Sequence, residues 1–362
     1  MTSTQHRSFE SVDARPKKKR SHTKSFWGRN FMQPDVSGEK FFKARGNTRP
    51  INLASLALCL VGFGCDTGPV LLTSGLSSTS SHVEGGLNAF PGAEGFGRHA
   101  AGGRGGDVYH VTNLDDEGEG SLRYGIEEMD GPRTIVFDVS GTIEVEDKIR
   151  VSDDYLTIAG QTAPGGGITL AGGYLSIGAS HIIVRYIRSR LGDDSGGDDD
   201  AISVGGGSNI IFDHVSASWS VDETFSANSY GSRDLTIQWS LIAESLRYSH
   251  HQKGAHGYGG ILGAGTGSYH HNLYAHHSSR SPKVSGRRHT ETDFRNNVIY
   301  NWGYQSCYDG ASSYLNWANN YYKAGPATND NVTRRIFRLS DQEIDDENEG
   351  WEESRTYETA FY

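Results

Sequence analysis

Carboxylates crowd two short stretches of this chain. GDDSGGDDDAISV (192–204) runs through Asp198, Asp199 and Asp200, and DHVSASWSVDE (213–223) carries Asp213, His214, Asp222 and Glu223. Like charges a few ångströms apart raise one another's pKa, so such carboxylates either point apart into water or hold a cation. An oxygen-only donor set favours Ca2+ or Mg2+ over zinc. Cations follow downstream. ESLRYSHHQKGAHGYGGILG (244–263) holds His250, His251, Lys253 and His256, and HHSSRSPKVSG (276–286) sets Arg280 directly before Ser281-Pro282. Arg280 is either a surface charge on a turn or a charge aimed at something acidic. The histidines admit a zinc cluster, but no ligand spacing stands out, and His270 and His271 read as members of a stacked column.

The elements that must position these groups are short and β-rich. From about residue 133, runs such as RTIVFDVSGTIEV, YLTIAG, GITLAG, HIIVRYIRSR and AISVGG are bounded by Gly and Asp, the pattern of strands. The best helix candidate is SLRYGIEEM (121–129), opened by Ser121. A weak motif recurs as FDHVSAS, IQWSLIA, YHHNLYA, FRNNVIY and WANNYYK, which aligns Val215, Ser240, Asn272, Asn297 and Asn320 at steps of 25, 32, 25 and 23 residues. Such spacing marks a stacked repeat. A coil of 23–25 residues suits three short strands and three turns, and amides in one column can hydrogen-bond along the stack. The reading is all-β, a right-handed parallel β-helix with three parallel sheets and few or no long helices. Leucine columns are lacking for a leucine-rich repeat, and a propeller needs longer antiparallel units. The long step between Ser240 and Asn272 holds about seven extra residues, which must leave the coil as a loop.

Composition agrees. There are 47 glycines against 9 prolines and 18 tyrosines among 362 residues, with no strict third-position glycine, which excludes collagen. The formal charge of −10 argues against a nucleic-acid partner. Cys59, Cys65 and Cys307 cannot form a disulfide framework. Residues 1–50 read as a basic extension, and INLASLALCLVGFGC (51–65) as the apolar region of an export signal, too short for the roughly 20 residues of a membrane span. Cys65 after Gly64 offers a bacterial-type lipid-anchor site, although Gly62 stands where leucine is usual. Residues 66–87 read as a linker, 88–330 as the β-helix, and 331–362 as a polar, acidic tail that breaks the repeat. The chain is thus expected to be secreted, periplasmic or outer-surface by bacterial-type export, a monomer, and short of coils at its end, where an uncovered sheet edge is an aggregation liability.

FDHVSASWSVDE, the HHN segment at 270–272 and the Arg-x-Pro of RSPKV resemble pectate lyases of polysaccharide lyase family 1. GEGSLRYGI, RTIVFDVSGTI, LTIAGQTAPGGGITL and IIVRYIRSRLGD extend the resemblance over about residues 88–325, in the family's order. It implies the same β-helix and a reaction, Ca2+-dependent β-elimination of α-1,4-polygalacturonate or pectin, with calcium bridging enzyme carboxylates and uronates. By resemblance Asp200, Asp198 and Glu223 are calcium ligands, and Asp222 stands in for a carboxylate whose place holds Ala227. Arg280 matches the base that takes the C5 proton. The second arginine of the family is Ser285 here, so Lys283 or Arg287 serves substrate binding, with His256. The active-site lysine falls on Arg247 by counting or on Lys253 by the KG-x-HG pattern, and Lys253 is favoured. Arginine has a pKa above about 12 in water, so nearby cations must lower it and the reaction should favour alkaline pH.

Three other readings share the fold. A polygalacturonase-type hydrolase needs two carboxyls roughly 6.5–9.5 Å apart and leaves the Arg280 cluster without a task. A pectin lyase works without calcium and has no use for Asp198–Asp200 and Glu223. A β-helix adhesin or carbohydrate-binding protein needs no catalytic group at all.

Overall fold

In the computed structural model, residues 86–339 are described apart from 195, 286–289 and 311–312. The calls on residues 1–85, the signal segment and Cys65 included, on Arg287 and on most of the tail lie outside them. The chain winds through a parallel β-solenoid of about eight turns. The first face is a nine-stranded parallel sheet running from Asp107–Val111 through Ile182–Arg185, Ser208–Asp213, Arg233–Gln238 and Thr266–His270 to Ser313–Ala318. The second face is an eight-stranded sheet from Gly141–Glu144 to Tyr321–Lys323. The third face comprises Ile149–Val151, Leu175–Ile177, Ile202–Val204 and Phe225–Ser226. It continues through the parallel pair Ala227–Leu262 into Ile261–Leu262, Lys283–Val284, Cys307–Asp309 and Phe337–Arg338. The stack therefore runs past residue 330, where the sequence had suggested its end.

Alternation along each strand makes this geometry. Residues of one parity point inward and stack coil upon coil: Ile158, Val184, Phe212, Ile237, Tyr269, Phe294 and Trp317 form one column of the first face. It turns from aliphatic to aromatic along the stack, and Phe294 and Trp317 lie ring on ring at 4.1 Å. Burying each such side chain contributes about 1.5–3 kcal/mol, the main term holding a coil shut. At the other end the expected helix is present as a short π-helical segment, Tyr124–Glu128. Ser121 Oγ accepts from the Tyr124 N–H at 3.1 Å, and buried Leu122 and Ile126 join the core. The wholly buried Arg133 guanidinium donates to the Gly125 and Ile126 carbonyls, which fixes that helix onto the first coils.

Between the first and second faces the chain turns within two residues. The first takes a left-handed φ: Tyr186, His214, Trp239, His271, Asn296 and Asn319 all lie between 51° and 56°. Asn tolerates this region, whereas bulkier residues are strained there. Stacking offsets the cost, with Tyr186 on His214 at 4.7 Å and Trp239 on His271 at 4.2 Å. His270 is fully buried beside His271, their Nδ1 atoms 2.9 Å apart, and burial lowers its pKa to about 4. His271 thus occupies the stacking column expected of both histidines, whereas His270 lies between Gln238 and Arg295 in the adjoining strand column and meets the His271 ring edge-on.

The second corner residue forms the ladder. Ser240 Oγ accepts from the Val215 N–H, Asn272 Oδ1 from Ser240, Asn297 Oδ1 from Asn272 and Asn320 Oδ1 from Asn297, at 2.9–3.1 Å. The Asn272, Asn297 and Asn320 amides donate to the Ile237, Tyr269 and Phe294 carbonyls. Asn272→Ala removes two of these buried bonds and orphans both partners, so it should cost about 2–4 kcal/mol. Asn320→Ala, at the half-buried end of the ladder, should cost less. Urea-unfolding midpoints of the two variants check the order.

Candidate active site

Four successive coils deliver polar residues to the edge of the third face. Asp200 lies two residues before Ile202–Val204, Glu223 two before Phe225–Ser226, Tyr258 three before Ile261–Leu262, and Arg280 three before Lys283–Val284. The rungs are tied by backbone bonds: Asp222 N to Asp199 O, Tyr258 N to Asp222 O, and Gly260 N to Arg280 O, at 2.7–3.1 Å. Glycine is required here. A Cβ on Gly259 would meet the Arg280 carbonyl at 2.3 Å and one on Gly260 the Phe225 carbonyl at 2.1 Å. Arg280 itself holds a left-handed φ of 57°, a strained state for a non-glycine residue. Its turn is braced from behind by the Ser281 N–H on Ser306 O and the Cys307 thiol on Ser281 O.

The expected one-coil offset between the two carboxylate groups is present. Glu223 N–H donates to Asp200 Oδ1 at 3.1 Å, and oxygens of Asp200, Asp222 and Glu223 all fall within 4.8 Å of one another. Burial, then the Asp222 charge, pushes the Asp200 carboxyl well above the usual aspartate range, with Asp199 adding to the effect. Glu223, 4% exposed, forms an ion pair with Arg280. The Arg280 side chain reaches it across the face of Tyr258, its Cζ 4.3 Å from the ring centre. Asp198 turns aside: its Oδ1 accepts from the Gln252 N–H at 3.1 Å, and it is outside the converging trio.

The seven-residue insertion leaves the coil as expected and docks on the aspartate loop. His250 Nδ1 lies 2.6 Å from Asp193 Oδ1 and its Nε2 2.8 Å from Gly197 O, and these partners, the Gly197 carbonyl first, raise its pKa. His251 and His256 stack beneath Asp222 with ring centres 3.8 Å apart. His256 Nε2 is 2.9 Å from Asp222 Oδ1, and burial lowers the pKa of this imidazole. His251 Nδ1 accepts from the Lys253 N–H at 3.0 Å, so the proton of its neutral ring sits on Nε2, 3.8 Å from Asp222 Oδ2. A protonated Nε2 is a donor, not a metal ligand. The stacked rings pack beside Asp222, whose buried Oδ1 lacks a hydrogen-bond partner, and the all-oxygen trio is the better cation site. Its hard donors fit Ca2+, which takes about 6–8 oxygens, with the remainder left to substrate and water.

The other calls scatter. Lys253 and Arg247 are exposed, and Arg247 lies over Tyr248. Lys283 Nζ is 3.6 Å from Asp309, and Ala227 and Ser285 occupy their coils without charge. Tyr258 was missed. Its phenol accepts from the Tyr304 hydroxyl at 3.0 Å, and burial raises its pKa. The one signal for it was the small-residue frame Gly257, Gly259 and Gly260, which marks close approach of two coils.

A parallel β-helix with three converging carboxylates and an arginine on one lateral face is the arrangement that the motifs implied for a pectate lyase. Over 244 residues the chain is 48% identical to probable pectate lyase C of Emericella nidulans, covering 67% of this chain and 54% of that protein. With the Aspergillus flavus protein of the same name, identity is 47% over 266 residues, 71% and 60% of the two chains. The matched region is homologous to these proteins, and the resemblance read from the motifs is borne out. The chain spans about half the length of the curated relatives it matches. The cedar pollen allergen Jun a 1 shares the fold, with a TM-score of 0.51 at 18% identity over 74% of this chain and 85% of that one. No protein-family model matches the chain.

The charge balance yields a stability test. A carboxyl raised in the folded state binds its proton more tightly there than when unfolded, so its contribution falls as pH rises above the ordinary aspartate range. Asp200→Asn keeps the acceptor for Glu223 and removes the repulsion. It should raise the metal-free melting temperature at neutral pH by roughly 2–4 °C per kcal/mol relieved. Added Ca2+ should stabilise the wild type and not the variant.

Proposed function

We propose that this chain is a Ca2+-dependent pectate lyase that cleaves α-1,4-polygalacturonate by β-elimination. The observation that carries the reading is the convergence of Asp200, Asp222 and Glu223 with Arg280 on one edge of the third face. The names of the curated relatives support it. Asp200, Asp222 and Glu223 would hold the cation, with Asp198 on the adjoining loop. When bound, calcium neutralises a substrate uronate and acidifies its C5–H.

The chain's own residues then do the rest. Asp222 lies against the stacked His251 and His256 rings, with His256 Nε2 2.9 Å from its Oδ1. Arg280, on a left-handed turn supported by Ser281 and Cys307, is positioned to take the C5 proton as the C4–O bond breaks. Lys283 and, on the insertion loop, Lys253 offer positive charge to further uronates along the polymer. Elimination by an arginine base favours alkaline pH, where neutral guanidine is more populated. A polygalacturonase would use the same carboxylates, yet Asp200, Asp222 and Glu223 lie closer together than an inverting acid–base pair requires. Export of a monomeric enzyme belongs to the same proposal. The fungal curated relatives favour a eukaryotic secretory route over bacterial-type export.

Polygalacturonate incubated with the protein should gain ultraviolet absorbance from the unsaturated product. Chelation by EGTA should abolish the signal and Ca2+ restore it. Arg280→Ala should lower kcat about 10²–10⁴-fold. Reducing-end release without absorbance would identify a hydrolase, and no turnover by the wild type a binding protein.

A further inference from the structure

Tyr258 occupies the rung between the carboxylate trio and the arginine. Its backbone pairs with Glu223 on one side and Ser279 on the other. Arg280 lies over one part of its ring, and the tilted His256 ring packs at 4.1 Å. The ring is thus held by two neighbours, while the residue stays partly open to solvent. The Tyr304 hydroxyl donates to the Tyr258 oxygen at 3.0 Å, which leaves the Tyr258 O–H free to donate outward. Tyr304 is 42% exposed, so the pair connects the site to bulk water.

Elimination needs two proton transfers, one from C5 and one to the departing glycosidic oxygen. Arg280 accounts for the first. Resting on the lyase reading above, we propose that the Tyr258 hydroxyl is the proton donor to the leaving O4 oxygen. The C5–H bond breaks as its proton passes to neutral Arg280 guanidine; its electron pair forms the C4=C5 double bond as the C4–O bond breaks. The C4–O pair leaves on the glycosidic oxygen, which takes the Tyr258 proton. The phenolate regains a proton from water through Tyr304, and Arg280 returns its proton to solvent, so the cycle consumes no co-reactant. The exposed Lys253 and Arg247 have no comparable fixed position beside Arg280.

Tyr258→Phe keeps the ring face under Arg280 and removes only the donor. With polygalacturonate it should lower kcat about 10²-fold, with KM nearly unchanged and a wild-type melting curve. A galacturonide carrying a 4-nitrophenolate leaving group at C4 needs no proton, and on it the variant should match the wild type. Tyr304→Phe, which leaves the Tyr258 ring untouched, should slow turnover of polygalacturonate several-fold. Wild-type kcat in Tyr258→Phe, an equal loss on both substrates, or wild-type kcat in Tyr304→Phe overturns the assignment. A wild-type protein inactive on both substrates would instead sink the lyase reading itself.

Discussion

In a parallel β-helix each residue sits above its counterpart one coil earlier, about 4.8 Å away. This single constraint shapes the rest of the molecule. Inward positions become continuous columns, which is why Val184, Phe212, Ile237 and Tyr269 succeed one another without a gap. Corner positions become ladders, and the amides of Asn272, Asn297 and Asn320 bond along the stack and also satisfy carbonyls below. Outward positions are forced together as well, whatever their charge. Asp200 and Glu223 are neighbours because 23 residues make one coil.

The same constraint explains the tension at the site. A free surface would let Asp200, Asp222 and Glu223 splay into water, whereas fixed rungs hold them within reach of one another and raise Asp200. The chain answers locally in two ways. The Arg280 guanidinium reaches over Tyr258 to Glu223, and two neutral imidazoles lie under Asp222. Neither answer cancels all the negative charge, so the three carboxylates remain in mutual repulsion. Repulsion maintained by a rigid ladder is how affinity for an oxygen-liganded metal can be built without a dedicated loop.

Legibility in sequence followed the regularity of the coil. Where the step was 23–25 residues, the ladder from Val215 to Asn320 and the offset of Asp200 against Glu223 could be counted out directly. The step from Glu223 to Tyr258 is 35 residues, because the insertion intervenes, and counting lost its register there. Attention therefore fell on Arg247 and Lys253, whose charge is conspicuous in a string of letters, rather than on a tyrosine between glycines. The packing of His251 beside Asp222 was equally hidden. Its tautomer is set by a backbone N–H two residues on, a contact that no spacing rule encodes. The short helix at 121–129 was found, but not its π character, which depends on how Arg133 grips its carbonyls from the first coils.

The insertion also shows how a solenoid acquires a site without losing its stack. The connecting segment 244–260 would interrupt the third face if it pulled the rungs apart, yet the face resumes through Ala227 and Leu262. What holds it is the pair Gly259 and Gly260, whose missing side chains let the returning strand settle against the Phe225 and Arg280 carbonyls. Because the rungs stay at coil spacing, the loop can vary while Asp200, Glu223, Tyr258 and Arg280 do not move relative to one another. Substitution of either glycine by a larger residue would put the strain on the rungs of Tyr258 and Arg280 rather than on the loop, because the new side chain would meet the Arg280 or Phe225 carbonyl.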